Sequence, residues 1–503
     1  MPGIDAAPSS LRLRSPWTIV IALGAIAGVV VRVAMIRSPT GVLDGDEAVV
    51  GLMARHFAHG SYRAFFWGQS YGGTVETALT SLVFRVFGSS TAALKAVPAA
   101  LDGIAAILVW RIGRRLMRPE GAVVAALLVW LWPANYLWWS IKARGFYEAT
   151  LCITLACALI VLRIGQDRDG DRWLDWAILG LLAGLGWWQT PQVLYILAPA
   201  GLWLVVARRG AVLKAAAVIP GLLLGALPWL VANLQDGFAS LTAPPAVVKG
   251  TYADHLLTFV RLGLPMTFGL KYVYLPFWIG SVHVSLLVYA LGCAVAVAGI
   301  LQRQRGSVFL GGIILAYPLI HALLTLSSEV AEGRYTLFLM PWLAIALARA
   351  CQRRSATLGA LLVVTLAVSF VGVRDLHGQT SPYAPDRRVP ASMASLQRSL
   401  DDHGVNLVWA NYWVAYRLTF ESRERIIAAS ALTPRYPAYN DEVERGHGVG
   451  YVFVAGSRDI GRFRQWLVTR QVRFNEWAVD RSFVVFVPED GKVLPSIVPG
   501  ISL

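Results

Sequence analysis

WTIVIALGAIAGVVVRVAMIRSPTGVLDGDEAVVGLMARHFAHG, residues 17–60, decides the fold. Trp17 to Met35 is an apolar run of about the length that carries a helix across a ~30 Å hydrocarbon core. Arg12 and Arg14 precede it, and it is too long for the core of a cleaved signal peptide, so it reads as a retained anchor. Just beyond it stand Asp44, Asp46 and Glu47, followed by Val49, Leu52, Met53, His56 and Phe57 at helical spacing. The chain therefore crosses once and sets a cluster of carboxylates at the water boundary, at the start of a helix lying on the membrane.

Further along, apolar runs recur as far as Val373. A mean hydropathy of +0.55, with 56% hydrophobic and 15% charged residues over 503 positions, excludes a water-soluble globule. Eleven spans are expected, at 17–36, 91–112, 120–139, 146–163, 173–188, 191–207, 214–234, 283–301, 308–326, 335–349 and 356–373. With the N-terminus in the cytoplasm, seventeen lysines and arginines gather in short inner loops, as the positive-inside rule requires, and the C-terminus falls outside. That distribution accounts for the net charge of +15 without nucleic acid as a partner, and the bilayer is the solvent. The excess of arginine over lysine suits a bacterial inner membrane. The four cysteines lie in apolar runs or, for Cys351, in a basic loop, so neither a disulfide nor a cysteine metal site is expected.

Thr74 to Phe87 is apolar but carries Glu76 and Arg85, and crossing there would turn every arginine-rich loop outward; it is expected to lie along the outer interface. A first outer loop then covers 37–90, and a second runs from about Gln235 to Val282 with Pro244, Pro245 and Lys249. The organisation expected is a polytopic α-helical domain over 1–373 and a soluble α/β domain over 374–503. In the latter, 389–403 and 459–470 read as helices and 405–410, 451–455 and 482–487 as strands.

Two chemistries compete for the acidic cluster. Asp44 and Glu47 have the spacing of a capping box, and acids suit a helix N-terminus for structural reasons alone. A carboxylate there can equally take the proton from an acceptor hydroxyl as it attacks a sugar, and Asp46 is the first choice for that base. A sugar phosphate carries its own leaving group, so the site needs cations where the phosphate departs rather than a second acid. Lys142 and Arg144, with Glu148 one turn later, and Arg334, near Glu329 and Glu332, supply them on the same side of the membrane. Each pair on its own also reads as a surface ion pair or an interfacial anchor.

GDEAVVGLMARH, FFWGQSYGGTVETALTSLVFRVFG, RIGRRLMRPEG, SIKARGFYE and EGRY followed by Pro341 stand in an order that resembles the GT-C glycosyltransferases of family 39 type, which include protein O-mannosyltransferases and lipid A aminoarabinose transferases. The likeness covers about 17–373. It implies the GT-C fold, a polyprenyl-phosphate sugar donor, an acceptor outside the cytoplasm and inversion at the anomeric carbon. It places the catalytic aspartate on Asp46 with Glu47 beside it, the outer arginine and acid on Arg144 and Glu148, and an Arg-Tyr pair on Arg334 and Tyr335. The sequence departs from the pattern at Ser70-Tyr71-Gly72-Gly73, where the aminoarabinose transferases carry lysine-proline, and at Glu148, where aspartate is more usual. Asp44-Gly45-Asp46 is an Asp-x-Asp, but the closer relatives work without metal, and neither metal nor cofactor is expected.

The main rival is a transporter or flippase of a lipid-linked sugar, which should show repeats and midplane charges. No repeat is seen. ANYWVAYRLTFESRERIIAAS and RYPAY, in the soluble domain, carry aromatics that either stack on a sugar or, at the spacing of Trp413, Tyr416 and Phe420, pack a helix on a sheet; the core reading is favoured.

Overall fold

The structure, a computed structural model, describes residues 15–167, 172–209, 212–242, 250–272, 277–302, 306–323, 333–378, 392–489, 491 and 493–503. Glu329 and Glu332, the Pro244–Lys249 stretch, the leading Arg12 and Arg14, Arg168, Arg303, Arg305 and the first residues of the 389–403 helix lie outside the described residues.

Helix α1 (Ser15–Ile36) is apolar on nearly every side and packs few of its residues inside. It is followed by α2 (Gly45–Ala58), α3 (Val75–Phe87), α4 (Thr91–Leu116), α5 (Pro119–Leu131), α6 (Ala134–Trp139), α7 (Tyr147–Gln166), α8 (Trp173–Gln189) and α9 (Leu194–Ala207). Later apolar helices run over Val282–Leu301, Ser307–Leu323, Met340–Cys351 and Ser355–Gly378. Among the described residues five helices are long and apolar enough to cross a membrane, six if the bent pair Val218–Gly225 and Leu227–Gln235 counts as one, and four apolar helices are shorter. The expected span at 120–139 is interrupted, because Pro133 lacks the N–H that a continuous helix needs; α5 stops at Leu131 and α6 restarts at Ala134. At 214–234 the helix bends by 56°.

Helix α3 has 13 residues, too few to cross. Its polar side faces the protein, with Glu76, Thr77, Thr80 and Ser81 buried, while Leu82, Val86 and Phe87 point outward. That reversed amphipathicity suits a helix resting in the interface.

The C-terminal part forms one sheet in the order β2-β1-β3-β5-β4, from β1 (Leu407–Ala410), β2 (Ile427–Ala429), β3 (Gly450–Val454), β4 (Phe474–Val479) and β5 (Phe483–Pro488). β1 lies parallel to both β2 and β3, with Leu407 opposite Ile427 and Val408 opposite Gly450; β5 runs antiparallel to β3 and β4. Two strands escape the sequence pattern: β2 is three residues long, and β4 is an edge strand with only Val479 of its six residues buried.

One apolar core joins this domain to the first loop, combining Val49, Leu52 and Met53 of α2 with Tyr416 and Phe420 of helix Tyr412–Glu421. The core reading of Tyr416 and Phe420 therefore holds; Tyr412, at the helix start, packs only partly against that core, and Trp413, which the same reading placed there, is not in it. Gly51 makes the approach possible: a Cβ there would sit 2.4 Å from Phe420 Cε2. Gly51→Val is expected to cost about 1–3 kcal/mol by overpacking, measured as a lower melting temperature in detergent, whereas Gly201→Ala, with nothing within 4 Å of the new methyl, should leave it unchanged or slightly raised.

Candidate active site

The first turn of α2 divides its carboxylates between two tasks. Asp44 is the N-cap and accepts from the Glu47 N–H at 3.1 Å, while Glu47 accepts from the Asp44 N–H at 3.3 Å. The capping box is thus real, and it leaves out Asp46, the one carboxylate of the three whose side chain is 26% exposed.

Glu47 is wholly buried, and an ionised carboxylate survives there only if cations and donors surround it. Lys95 of α4 donates to Oε1, Lys142 to Oε2 at 2.9 Å, and the Ala143 N–H to Oε1 at 3.3 Å. Lys142 also reaches Asp44 at 3.3 Å and the Val42 carbonyl at 3.0 Å. The Arg144 guanidinium grips Asp44 with a fork of two 3.0 Å bonds and extends to Asp46 Oδ2 at 2.7 Å. The space between the two carboxylates of Asp-Gly-Asp is therefore taken by a guanidinium. On the other oxygen of Asp46 the phenol of Tyr412 donates, reaching across from the soluble domain. Burial and the neighbouring Asp46 charge hold the Tyr412 hydroxyl well above its ordinary pKa, so it remains a donor.

These groups border a cavity of about 520 Å³. Its lining carries three arginines, Arg144, Arg334 and Arg435, against one carboxylate, Asp46, so it is a net cationic space. Arg334 sits on the turn Gly333–Tyr335 with its guanidinium 5.0 Å from the Tyr335 ring centroid and 5.7 Å from that of Tyr147. Arg435 stands 5.5 Å from the Tyr412 ring centroid. The wall opposite comes from the tight loop 65–73, where Phe66 N–H bonds the Gly72 carbonyl at 2.9 Å and Gln69 and Tyr71 point in. The Ser70–Gly73 departure thus forms a wall with Gly72 at φ +83° and no room for a side chain, since a Cβ would lie 2.5 Å from Phe146.

Of the residues expected from sequence, Asp46, Arg144, Arg334 and Tyr335 line the cavity. Glu47, Lys142 and Glu148 are buried and are not part of its lining. Glu148 has no hydrogen-bond partner on either carboxylate oxygen among the described residues. Sequence reasoning missed Lys95 and Arg435, and it weighed Tyr412 and Trp413 as sugar-stacking aromatics but favoured the core reading. Lys95 looks like any charge at a span end, and the other three join the site only through a contact more than three hundred residues long in sequence.

Residues 74–233 match the family of dolichyl-phosphate-mannose-protein mannosyltransferases. No curated protein matches this sequence. Among solved structures, ArnT from Cupriavidus metallidurans bound to undecaprenyl phosphate superposes over 94% of this chain and 98% of its own, with a TM-score of 0.67 at 13% identity. The oligosaccharyltransferase AglB from Archaeoglobus fulgidus, in complex with an inhibitory peptide and a dolichol-phosphate, superposes over 93% and 74%, with a TM-score of 0.52 at 13% identity. The chain has the GT-C fold of membrane glycosyltransferases, as the motif order implied.

Glu76 supplies a pH test. It accepts from the Gly145 N–H at 3.2 Å, yet burial pushes its carboxyl up from 4.5 to about 7. Below 4.5 the group is neutral folded and unfolded; between 4.5 and about 7 the unfolded chain ionises first, so stability falls as pH rises. Above 7 the loss levels off at about 3 kcal/mol. Glu76→Gln should therefore melt near the wild-type temperature at pH 5 and several degrees higher at pH 8.5; an equal difference at both would contradict this account.

Proposed function

We propose that the chain is an inverting glycosyltransferase that moves a monosaccharide from a polyprenyl-phosphate donor to an acceptor hydroxyl outside the cytoplasm. The observation that carries this reading is Asp46, a partly exposed carboxylate facing a cavity lined by three arginines.

The acceptor oxygen attacks the anomeric carbon, the bond from that carbon to the phosphate oxygen breaks, and the hydroxyl proton passes to Asp46. One displacement from the face opposite the phosphate inverts the centre, and no glycosyl-enzyme is formed. Arg334 and Arg435 meet the phosphate as it gains charge, and Arg144, already shared with Asp44, contributes its remaining field. Tyr412 and Arg144 fix the two oxygens of Asp46, so the base faces the acceptor without searching rotamers. Glu47, Lys142 and Lys95 act one step back: they anchor Asp44, which orients Arg144. The arrangement of basic loops orients the N-terminus to the cytoplasm and this cavity outward.

Transfer of radiolabelled sugar from a panel of polyprenyl-phosphate sugars into bacterial membranes tests the reading. Asp46→Asn should lower turnover by about 10²–10⁴-fold with melting unchanged; undiminished transfer sinks Asp46 as the base. In the same assay Arg334→Gln and Arg435→Gln should each raise the donor KM by about tenfold, the loss of one charge-assisted contact. An unchanged KM for both would remove the arginines from phosphate binding.

A further inference from the structure

A second crevice, of about 470 Å³, opens beside the cationic cavity and shares Tyr412, Trp413 and Thr433 with it. It lies at the carboxyl ends of the parallel strands: Asn411 follows β1, Ser430 follows β2, and Ser457 comes three residues after β3. β1 is the middle one of the three parallel strands, and the chain passes first to β2 on one side and then to β3 on the other, so the connections reverse direction there. Open α/β sheets bind ligands at this position, and the volume is that of a small-molecule site.

The lining decides the ligand class. It holds hydroxyls and an amide (Ser430, Thr433, Ser457, Ser502, Asn411) and aromatic faces (Tyr412, Trp413, Phe453). Its one charged side chain is Asp459, near the start of helix Arg458–Thr469, which fills the place an anion would take and already accepts from the Ser502 N–H at 3.0 Å. Asp459 is paired with Arg462 at 3.5 Å, and the lining carries no lysine or arginine to hold a phosphate or carboxylate. Ser430 is 1% exposed, and its Oγ has no hydrogen-bond partner among the described residues, a buried donor waiting for a partner.

We propose that this crevice seats the acceptor, and that the acceptor is a neutral saccharide whose hydroxyl passes the wall of Tyr412 and Trp413 to reach Asp46. The proposal rests on the glycosyl-transfer reading and adds a division of labour. The arginine-lined cavity takes the phosphate, the uncharged crevice takes the sugar that is to be extended, and the aromatic pair between them aligns the two.

Saturation-transfer difference NMR on the full chain in nanodiscs, with a panel of neutral disaccharides (mannobiose, maltose, cellobiose, galactobiose, arabinobiose), reads crevice occupancy without turnover. Ser430→Trp fills the crevice from within; Ser502→Trp, at an exposed position, covers it without burdening the core. At least one disaccharide should bind the wild type and bind each variant about tenfold more weakly, while affinity for undecaprenyl phosphate, titrated separately, stays within about twofold and reports an intact fold. Failure of every disaccharide to bind, equal binding to Ser502→Trp, or binding of serine- and threonine-containing peptides in their place overturns the proposal. Because no turnover is involved, such a failure is separate from the Asp46→Asn transfer result, which judges the underlying reading.

Discussion

Glu47 is a carboxylate without water, and the rest of the site follows from meeting its demands. Burying one charge costs several kcal/mol unless opposite charges and N–H groups surround it. Here the partners come from three separate elements, Lys95 on α4, Lys142 and Ala143 on the α6–α7 loop, and the capping turn of α2 itself. Once these are locked together, Asp44 has one orientation, and so has the Arg144 fork that rests on it. Asp46 is left at the edge of a rigid polar cluster with its oxygens already claimed by donors. In the proposed transfer, preorganisation of this kind removes reorganisation from the step in which charge develops.

The membrane domain was legible because hydropathy and basic-loop spacing are imposed by the bilayer and act residue by residue. Among the described residues a helix falls in each apolar stretch that the sequence marks, though Pro133 and the bend after Gly225 break two of them and the 335–349 stretch is α-helical only from Met340, details that hydropathy averages over. The site was legible where its chemistry is local: Asp46, Arg144 and Arg334 announce themselves by charge at span ends. Lys142, Glu47 and Glu148 share that signature but do not line the cavity, because a charge pattern does not say which way a side chain faces.

What the sequence hid is the share of the soluble domain. Tyr412 opens a helix whose aromatic spacing describes packing on a sheet, and Tyr416 and Phe420 do pack so, while Arg435 lies in the irregular segment after β2, which has no periodicity to read. The same helix turns its first residues toward Asp46, and only the folded contact of α2 with helix Tyr412–Glu421, admitted by Gly51, brings them there. β2 and β4 were lost for simpler reasons, one being too short and the other, Phe-Asn-Glu-Trp-Ala-Val, lacking the strict alternation that marks a strand.

Helix α3 carries a last consequence. Its apolar residues Leu82, Val86 and Phe87 face away from the protein, while Glu76 on its inner side holds the Gly145 amide next to Arg144. The lipid leaflet therefore serves as one layer of the architecture: it supplies the outer half of a sandwich whose inner half is the loop bearing the guanidinium. Leaflet thickness and lateral pressure act on an interfacial α3 directly, and a detergent micelle that meets this helix with different curvature presses on the Arg144 loop from outside. The composition of the surrounding membrane is in that sense a structural variable of the site, set by the host cell rather than by the gene.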